Sequence, residues 1–284
     1  FYRALDETEE LVHFKLFHAE QPIVLSDVMP IFENMGFRVI GEHPYECVDR
    51  EGRTVWIHDF TLTANSKQII NINKIRKNFE ALFLKVWEGN AENDSFNRLI
   101  ISAYMNWRQI AMLRSYARYM RQIRVSNSQR FVANTVVSNT LISSLLIKLF
   151  ESRFNPELSE SNDCETIVDD VHNLTEDKIL RLYLDLIKAT MRTNYFQKND
   201  LGQYRHAIAF KFHPRQIPNV PLPVPMFEIF IYSPRIEGVH LRGGKVARGG
   251  LRWSDRYEDY RTEVLGLVKA QQVKNAVIVP VGAK

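Results

Sequence analysis

Glycine and proline are distributed unevenly along this chain of 284 residues. Between residues 66 and 196 only Gly89 and Pro156 occur, and because both residue types interrupt helices, this stretch is predicted to be helical. Seven of the twelve glycines lie between residues 237 and 284, and six of the eleven prolines lie between residues 214 and 234. The chain therefore divides into a segment before the helices, the helical region, and a turn-rich segment after it.

The first segment, residues 1–85, alternates between strand and helix signals. Three strands are predicted, at Leu11–His18, Phe37–Ile40 and Arg53–Thr63. A helix capped by Ser26 and stopped by Gly36 lies between the first two, and a second helix is expected to begin near Ser66. This order is typical of a ferredoxin-like layer, in which the helices cover one face of an antiparallel sheet.

The same order of elements resembles an ACT-type regulatory domain. Domains of that type often bind amino acids, so the resemblance implies an amino-acid effector for residues 1–85. A packing module without any ligand has the same pattern, because a fold alone does not determine function. Both interpretations stay open at this point.

The helical region, residues 86–200, contains apolar residues at helical spacing, and Thr175 is predicted to cap its last helix ahead of Glu176 and Asp177. Arg114, Arg118 and Arg121 recur along one predicted face. Such a stripe is compatible with binding nucleic acid or another anion, or with arginine stems packed along a solvated or interdomain face.

Composition favours the second interpretation and bounds the class of protein. The net charge is only +4, with 37 basic and 33 acidic residues, so no nucleic-acid partner is expected. Hydrophobic residues make up 45%, which is enough for a packed core. Cys47 and Cys164 are far apart in the sequence, so a disulfide framework is not expected and a reducing, cytoplasmic location is. The histidines are not spaced as metal ligands, so no metal is expected. No run is long enough for a membrane span.

The third segment, residues 201–284, combines strands with a glycine-rich stretch. Ala207–Phe212 and Met226–Tyr232 are predicted strands, and a helix is predicted from Tyr257 onward. Its inward face is predicted to hold Tyr260, Val264, Leu267, Gln271 and Lys274. Lys274 then either meets an anion or extends to solvent at the end of the helix.

Lys284 follows the apolar run Ala276–Val281, and the small residues Gly282 and Ala283 leave space around it. A lysine among other cations loses its proton more readily, which suits it to act as a base or nucleophile. The chain begins with Phe1 and reaches Lys284 directly after a strand-like run, so it is expected to be a fragment of a longer protein.

The last 48 residues, Glu237–Lys284, resemble the start of the substrate-binding domain of the large NAD-specific glutamate dehydrogenases. The motifs that carry the resemblance are Arg-Gly-Gly-Leu-Arg-Trp-Ser-Asp-Arg, Arg-Thr-Glu-Val-Leu-Gly-Leu-Val-Lys-Ala-Gln-Gln-Val-Lys-Asn-Ala and Val-Pro-Val-Gly-Ala-Lys. It implies that residues 201–284 begin an α/β substrate-binding domain, behind an ACT-like domain and a helical region. The fold class expected for the whole chain is thus a multidomain α+β and α/β protein.

The resemblance also implies residue roles. Arg248, beside Gly249 and Gly250, would bind the side-chain carboxylate of glutamate, Lys274 would bind the α-carboxylate, and Lys284 would be catalytic. In smaller glutamate dehydrogenases a lysine stands where Arg248 stands, two glycines precede the catalytic lysine, and the two lysines are further apart. Guanidinium nevertheless pairs well with carboxylate.

The implied reaction is the oxidative deamination of L-glutamate to 2-oxoglutarate and ammonium, with NAD as cofactor. No G-x-G-x-x-G motif occurs in the chain, so NAD is expected to be bound by a domain outside it, and the chain alone is expected to be inactive. The resemblance further implies an allosterically regulated homo-oligomer of amino-acid catabolism. The alternative is a regulatory or oligomerisation module that binds an amino-acid effector; RNA binding by the two Arg-Gly-Gly triplets is disfavoured, because an amphipathic helix follows them.

Overall fold

A computed structural model describes residues 1–4, 8–65, 70–158, 173–244 and 249–274, with the side chains of the last range described through position 271. The chain forms two compact units, Phe1–Ile110 and Ala111–Lys284. Arg248 and Lys284 lie outside the described residues, as does the side chain of Lys274.

The first unit contains an antiparallel sheet of three strands in the order β1-β3-β2. Its elements are β1 (Leu11–Ala19), α1 (Leu25–Asn34), β2 (Phe37–Val48), β3 (Thr54–Ala64), α2 (Ile72–Trp87), a 3-10 turn (Ser95–Arg98), α3 (Leu99–Ser102) and the beginning of α4 (Trp107–Gln122). The predicted order of strands and helices is confirmed.

Both long helices of this unit cover the same face of the sheet. Phe14 of β1 lies opposite Phe60 of β3, so the two side chains share one face. The Phe14 ring packs 5.6 Å from Phe32 of α1 and 5.2 Å from Phe79 of α2, measured between ring centroids. This arrangement confirms the ferredoxin-like, ACT-type prediction.

The ends of α1 differ in how well the sequence predicted them. Gly36 has a φ of 91°, in the left-handed region that glycine tolerates, and it ends the helix as predicted. The N-cap is Val24 rather than Ser26, and it makes no side-chain capping bond. The prediction of Ser26 was wrong because the helix already begins at Leu25, so Ser26 lies inside its first turn.

The second unit contains a four-stranded antiparallel sheet in the order β4-β5-β6-β7. Its elements after α4 are α5 (Gln129–Ser138), α6 (Thr140–Phe154), α7 (Leu174–Ala189), β4 (Thr190–Thr193), β5 (Ile208–Phe212), β6 (Phe227–Tyr232), β7 (Glu237–Arg242) and α8 (Tyr260–Lys274). Strands β5 and β6 match the prediction, whereas β4 and β7 were not predicted. Asn173 rather than Thr175 caps α7, because its side-chain oxygen accepts the backbone N–H of Thr175 at 2.9 Å.

Aromatic stacking fixes α4 across this sheet. The Tyr116 ring lies 4.6 Å from Phe210, and the Tyr119 ring lies 4.5 Å from Phe212, between ring centroids. Phe230 of β6 lies 5.3 Å from Tyr119 and belongs to the same inward face. The end of α4 is therefore held over the strands that precede the glycine-rich segment.

Within the described part of the chain, no single helix is long and apolar enough to cross a membrane. Helices α5 and α6 together reach that length and composition, but a bend of 96° separates them.

Candidate functional site

The glycine-rich segment lies between β7 and α8, and the structure describes its second half. Gly249 and Gly250 are exposed and belong to no helix or strand. Lys274 is the last residue of α8. Arg248, Lys284 and the side chain of Lys274 lie outside the described residues, so their roles at one glutamate site stay a prediction. The geometry that follows is that of the described residues next to them in the sequence.

A single carboxylate ties the loop after Gly250 to α8. Glu263, in the first turn of α8, accepts hydrogen bonds from Arg252 Nε at 2.6 Å and from Ser254 Oγ at 2.6 Å. The Ser254 hydroxyl and then the Arg252 guanidinium lower the pKa of Glu263 below its usual range, so the carboxylate stays charged at neutral pH. We refer to these two hydrogen bonds as the Glu263 contacts.

A buried ion pair fixes the beginning of α8 on the sheet. Arg261 donates two hydrogen bonds of 2.7 Å, from Nε and one Nη, to the two carboxylate oxygens of Glu228 on β6. The Arg261 side chain is 1% exposed and the Glu228 side chain 0%. Burial opposes the charge of Arg261, but the hydrogen bonds and charge of Glu228 outweigh it and raise the pKa of the guanidinium.

Gln122, near the end of α4, bonds to the backbone on both sides of the α8 start. Its side-chain oxygen accepts the backbone N–H of Arg261 at 3.2 Å, and its nitrogen donates to the Tyr257 carbonyl at 3.1 Å. The first N–H groups of a helix have no partner within the helix, so the Gln122 oxygen satisfies one of them. Gln122 is buried, as is Tyr119 one turn earlier, whose pKa is raised by burial and by the neighbouring Glu228 carboxylate.

The arginine stripe of α4 is packed inside the unit. Arg114 is 1% exposed. The guanidiniums of Arg118 and Arg121 lie 3.7 Å and 3.5 Å from the Glu237 carboxylate of β7, and Arg121 stacks 4.5 Å from the centre of the Tyr257 ring. The interpretation as arginine stems packed along a face is thus confirmed, although the face is largely buried rather than solvated.

The apolar face of α8 packs on β7. Val264, Leu265 and Val268 form a buried cluster with Leu241. The buried face of α8 differs from the predicted one, because Leu267, predicted to face inward, is only half-buried, whereas Leu265 is buried. The prediction missed this because Arg261, a charged residue that a hydrophobic pattern leaves out, also belongs to the buried face.

Three residues of this scaffold were missed by sequence reasoning: Glu228, Gln122 and Glu263. The burial of Glu228 could have been predicted from the sequence, because it alternates in register with the core residues Phe230 and Tyr232 and therefore faces the same side of the sheet. The contacts of Gln122 and Glu263 could not have been predicted from the sequence pattern, because their partners are decided by tertiary packing. Glu228 and Glu263 are both paired with arginine, so neither is free to act as a general base. The described residues contain no group of three or more side chains suited to hold a metal ion.

Three family models match the chain. Residues 1–75 match the glutamate dehydrogenase ACT3 domain, residues 91–156 match glutamate dehydrogenase helical motif 3, and residues 163–284 match the catalytic domain of bacterial NAD-glutamate dehydrogenase. The scaffold around α8 thus unites α4, from the helical motif, with β6, β7 and α8, from the catalytic domain.

Curated relatives agree with these matches. The chain is 54% identical, over its whole length, to the NAD-specific glutamate dehydrogenase of Halomonas elongata, and 51% identical to that of Pseudomonas aeruginosa. It is 41% identical, over 92% of its length, to that of Mycobacterium tuberculosis. The chain spans only 18% of the first two relatives and 17% of the third. Its sequence, its two folded units and the order of its matched domains together show that the chain belongs to the family of large NAD-specific glutamate dehydrogenases.

Proposed function

We propose that the protein containing this chain catalyses the NAD-dependent oxidative deamination of L-glutamate to 2-oxoglutarate and ammonium. The observation that carries the proposal is the match of residues 163–284 to the catalytic domain, because this range contains Arg248, Lys274 and Lys284. NAD accepts the hydride from the α-carbon. The sequence contains no G-x-G-x-x-G motif, so no residue of this chain is assigned to NAD.

In this proposal two cations hold the substrate. Glutamate carries two carboxylates, and fixing both orients the α-hydrogen for transfer. Arg248, flanked by Gly249 and Gly250, binds the side-chain carboxylate, and Lys274 binds the α-carboxylate. The Glu263 contacts support this arrangement, because they hold the loop that follows Arg248 against the helix that ends with Lys274.

Lys284 is the proposed catalytic residue. Its amine would deprotonate the attacking water and stabilise the developing oxyanion. The family resemblance further supports a homo-oligomeric, cytoplasmic enzyme, which light scattering and cell fractionation would test.

The experiment is an assay of the full-length protein with L-glutamate and NAD, followed by the absorbance of NADH. We expect NADH formation that depends on L-glutamate, that is not supported by L-aspartate, and that releases ammonium and 2-oxoglutarate in equal amounts. A purified, folded protein without glutamate-dependent NADH formation would contradict the proposal.

A second function, effector binding by the first unit, is favoured by a cavity of about 340 Å³ beside β2. Its lining includes two arginines that could bind a carboxylate, one glutamate that could bind an ammonium group, and three apolar residues. The lining residues are Met29, Glu33, Phe37, Arg38, Val39, Asn65 and Arg98. We propose that this cavity binds a free amino acid that regulates the enzyme.

Calorimetric titration of the protein with individual amino acids tests this second proposal. We expect binding by at least one amino acid, weakened by Arg38→Met and by Arg98→Met. Arg76→Met is the matched control, since Arg76 pairs with Glu80 on α2 and does not line the cavity. Equal affinity in Arg38→Met and the control would rule out this site.

A further inference from the structure

The Glu263 contacts join two elements that the proposed function assigns to substrate binding. Arg252 lies four residues after Arg248. Both oxygens of the Glu263 carboxylate are engaged, one by the Arg252 guanidinium and the other by the Ser254 hydroxyl. The loop is therefore held at two points, by the two oxygens of one carboxylate, rather than by a single exposed bond.

The position of Glu263 on α8 relates it to Lys274. The two residues are eleven positions apart, which is close to three full turns of an α-helix at about 3.6 residues per turn. They therefore occupy the same side of the helix, and Leu267, one turn after Glu263, occupies it as well. This side is distinct from the buried face of Val264, Leu265 and Val268, which packs on β7.

We propose that Glu263 is a positioning residue of the glutamate site: it fixes the loop Arg252–Ser254, which follows the Arg248-Gly249-Gly250 motif in the sequence, against the first turn of α8. The inference rests on the proposed function. Glu263 touches neither substrate nor cofactor in this role. It acts by holding this loop in place before glutamate arrives, so that substrate binding does not have to order the loop.

The contacts are partly exposed, so their loss is expected to change substrate affinity more than global stability. A defect that only unfolds part of the enzyme population lowers kcat and leaves the KM of the remaining active sites unchanged. A defect in positioning raises the KM for glutamate. The two can therefore be separated by steady-state kinetics.

The test uses Glu263→Gln in the full-length protein. A neutral amide removes the charge from the Arg252 contact, and its NH2 group would have to donate to the Ser254 hydroxyl instead of accepting from it. We expect the KM for glutamate to rise on the order of 10-fold, as for the loss of one charged hydrogen bond, with the KM for NAD within 2-fold of wild type. Arg252→Met should reproduce the effect, and the double variant should be no worse than either single variant.

Asp259→Asn is the matched control, because Asp259 pairs with Arg256 within the same turn and does not reach the loop before Ser254. Its KM for glutamate should stay within 2-fold of wild type. If Glu263→Gln does not fold, Ser254→Ala decides, since it removes one contact and little else; a rise of a few-fold is expected. An unchanged KM for glutamate in a folded variant overturns the inference, whereas inactive wild-type protein would instead contradict the proposed function.

Discussion

Replacing Arg261 by methionine should destabilise the second unit strongly. The substitution keeps a long side chain but leaves the Glu228 carboxylate buried without its two 2.7 Å hydrogen bonds. Removing one partner of a buried pair costs about 3–5 kcal/mol, because the remaining charge has lost both water and its counterion. That loss is a large part of the roughly 5–15 kcal/mol that keeps a domain folded.

The measurement is urea unfolding of the 284-residue chain followed by circular dichroism, with Arg181→Met as the matched control. Arg181 pairs with Asp177 on α7 of the same unit at 2.9 Å, but its side chain is 50% exposed. Exposed pairs spaced i, i+4 contribute only about 0.3–0.5 kcal/mol, so the control should barely shift the transition.

A double variant separates the lost pair from lost packing. With Arg261→Met and Glu228→Met combined, no charge is left buried, so the double variant should be clearly more stable than the sum of the two single losses predicts. The reasoning is refuted if Arg261→Met and Arg181→Met cost the same, or if the two losses at 261 and 228 simply add.

Three further predictions concern activity, cofactor and pH. In the full-length protein, Lys284→Ala should mainly lower kcat and Arg248→Ala should mainly raise the KM for glutamate; near-normal turnover of Lys284→Ala would remove its catalytic assignment. The isolated 284-residue chain should show no micromolar NAD binding by calorimetry and no glutamate-dependent NADH formation, because it contains no dinucleotide motif. Burial and the Arg242 charge lower the pKa of His240 in the folded protein below that of an unfolded histidine, about 6.5. Above that pH the histidine is neutral in both states, so the protein keeps its full stability. As the pH falls from about 6.5 toward the lower pKa of the folded state, the unfolded chain binds the proton more readily and stability is lost. His240→Gln should therefore make the thermal midpoint less sensitive to pH between roughly 7 and 5, and an identical pH profile would contradict this.

The alternation of the strands and the spacing of apolar residues were sufficient to predict the order of the strands and the two long helices of the first unit. Leu11–Ala19 and Thr54–Ala64 repeat with period two, and Gly36 stops α1 because the chain must adopt a positive φ there. Such signals are local, since each depends on a few neighbouring residues. The short strand Thr190–Thr193 was missed because four residues give no measurable alternation.

The region around α8 shows which features cannot be predicted from neighbouring residues in the sequence. The sequence predicted the helix, the glycine-rich loop and the three cations, but the hydrophobic pattern did not place Arg261 or Glu228 in the core. Arg261 is buried because Glu228, 33 residues earlier, faces inward from a strand of the core. Nothing within one helix or one strand reveals that pairing, because it arises only when β6 and α8 pack against each other.

The sequence by itself determined the family and the order of the domains, and it predicts the cations of a dicarboxylate site. Only the tertiary structure decided that Arg118 and Arg121 of α4 are packed against Glu237 and Tyr257, that Gln122 bonds to the start of α8, and that Glu263 holds the loop. The physical reason is that periodicity records which side of an element is apolar, whereas the partner of a buried polar group depends on contacts between residues far apart in the chain.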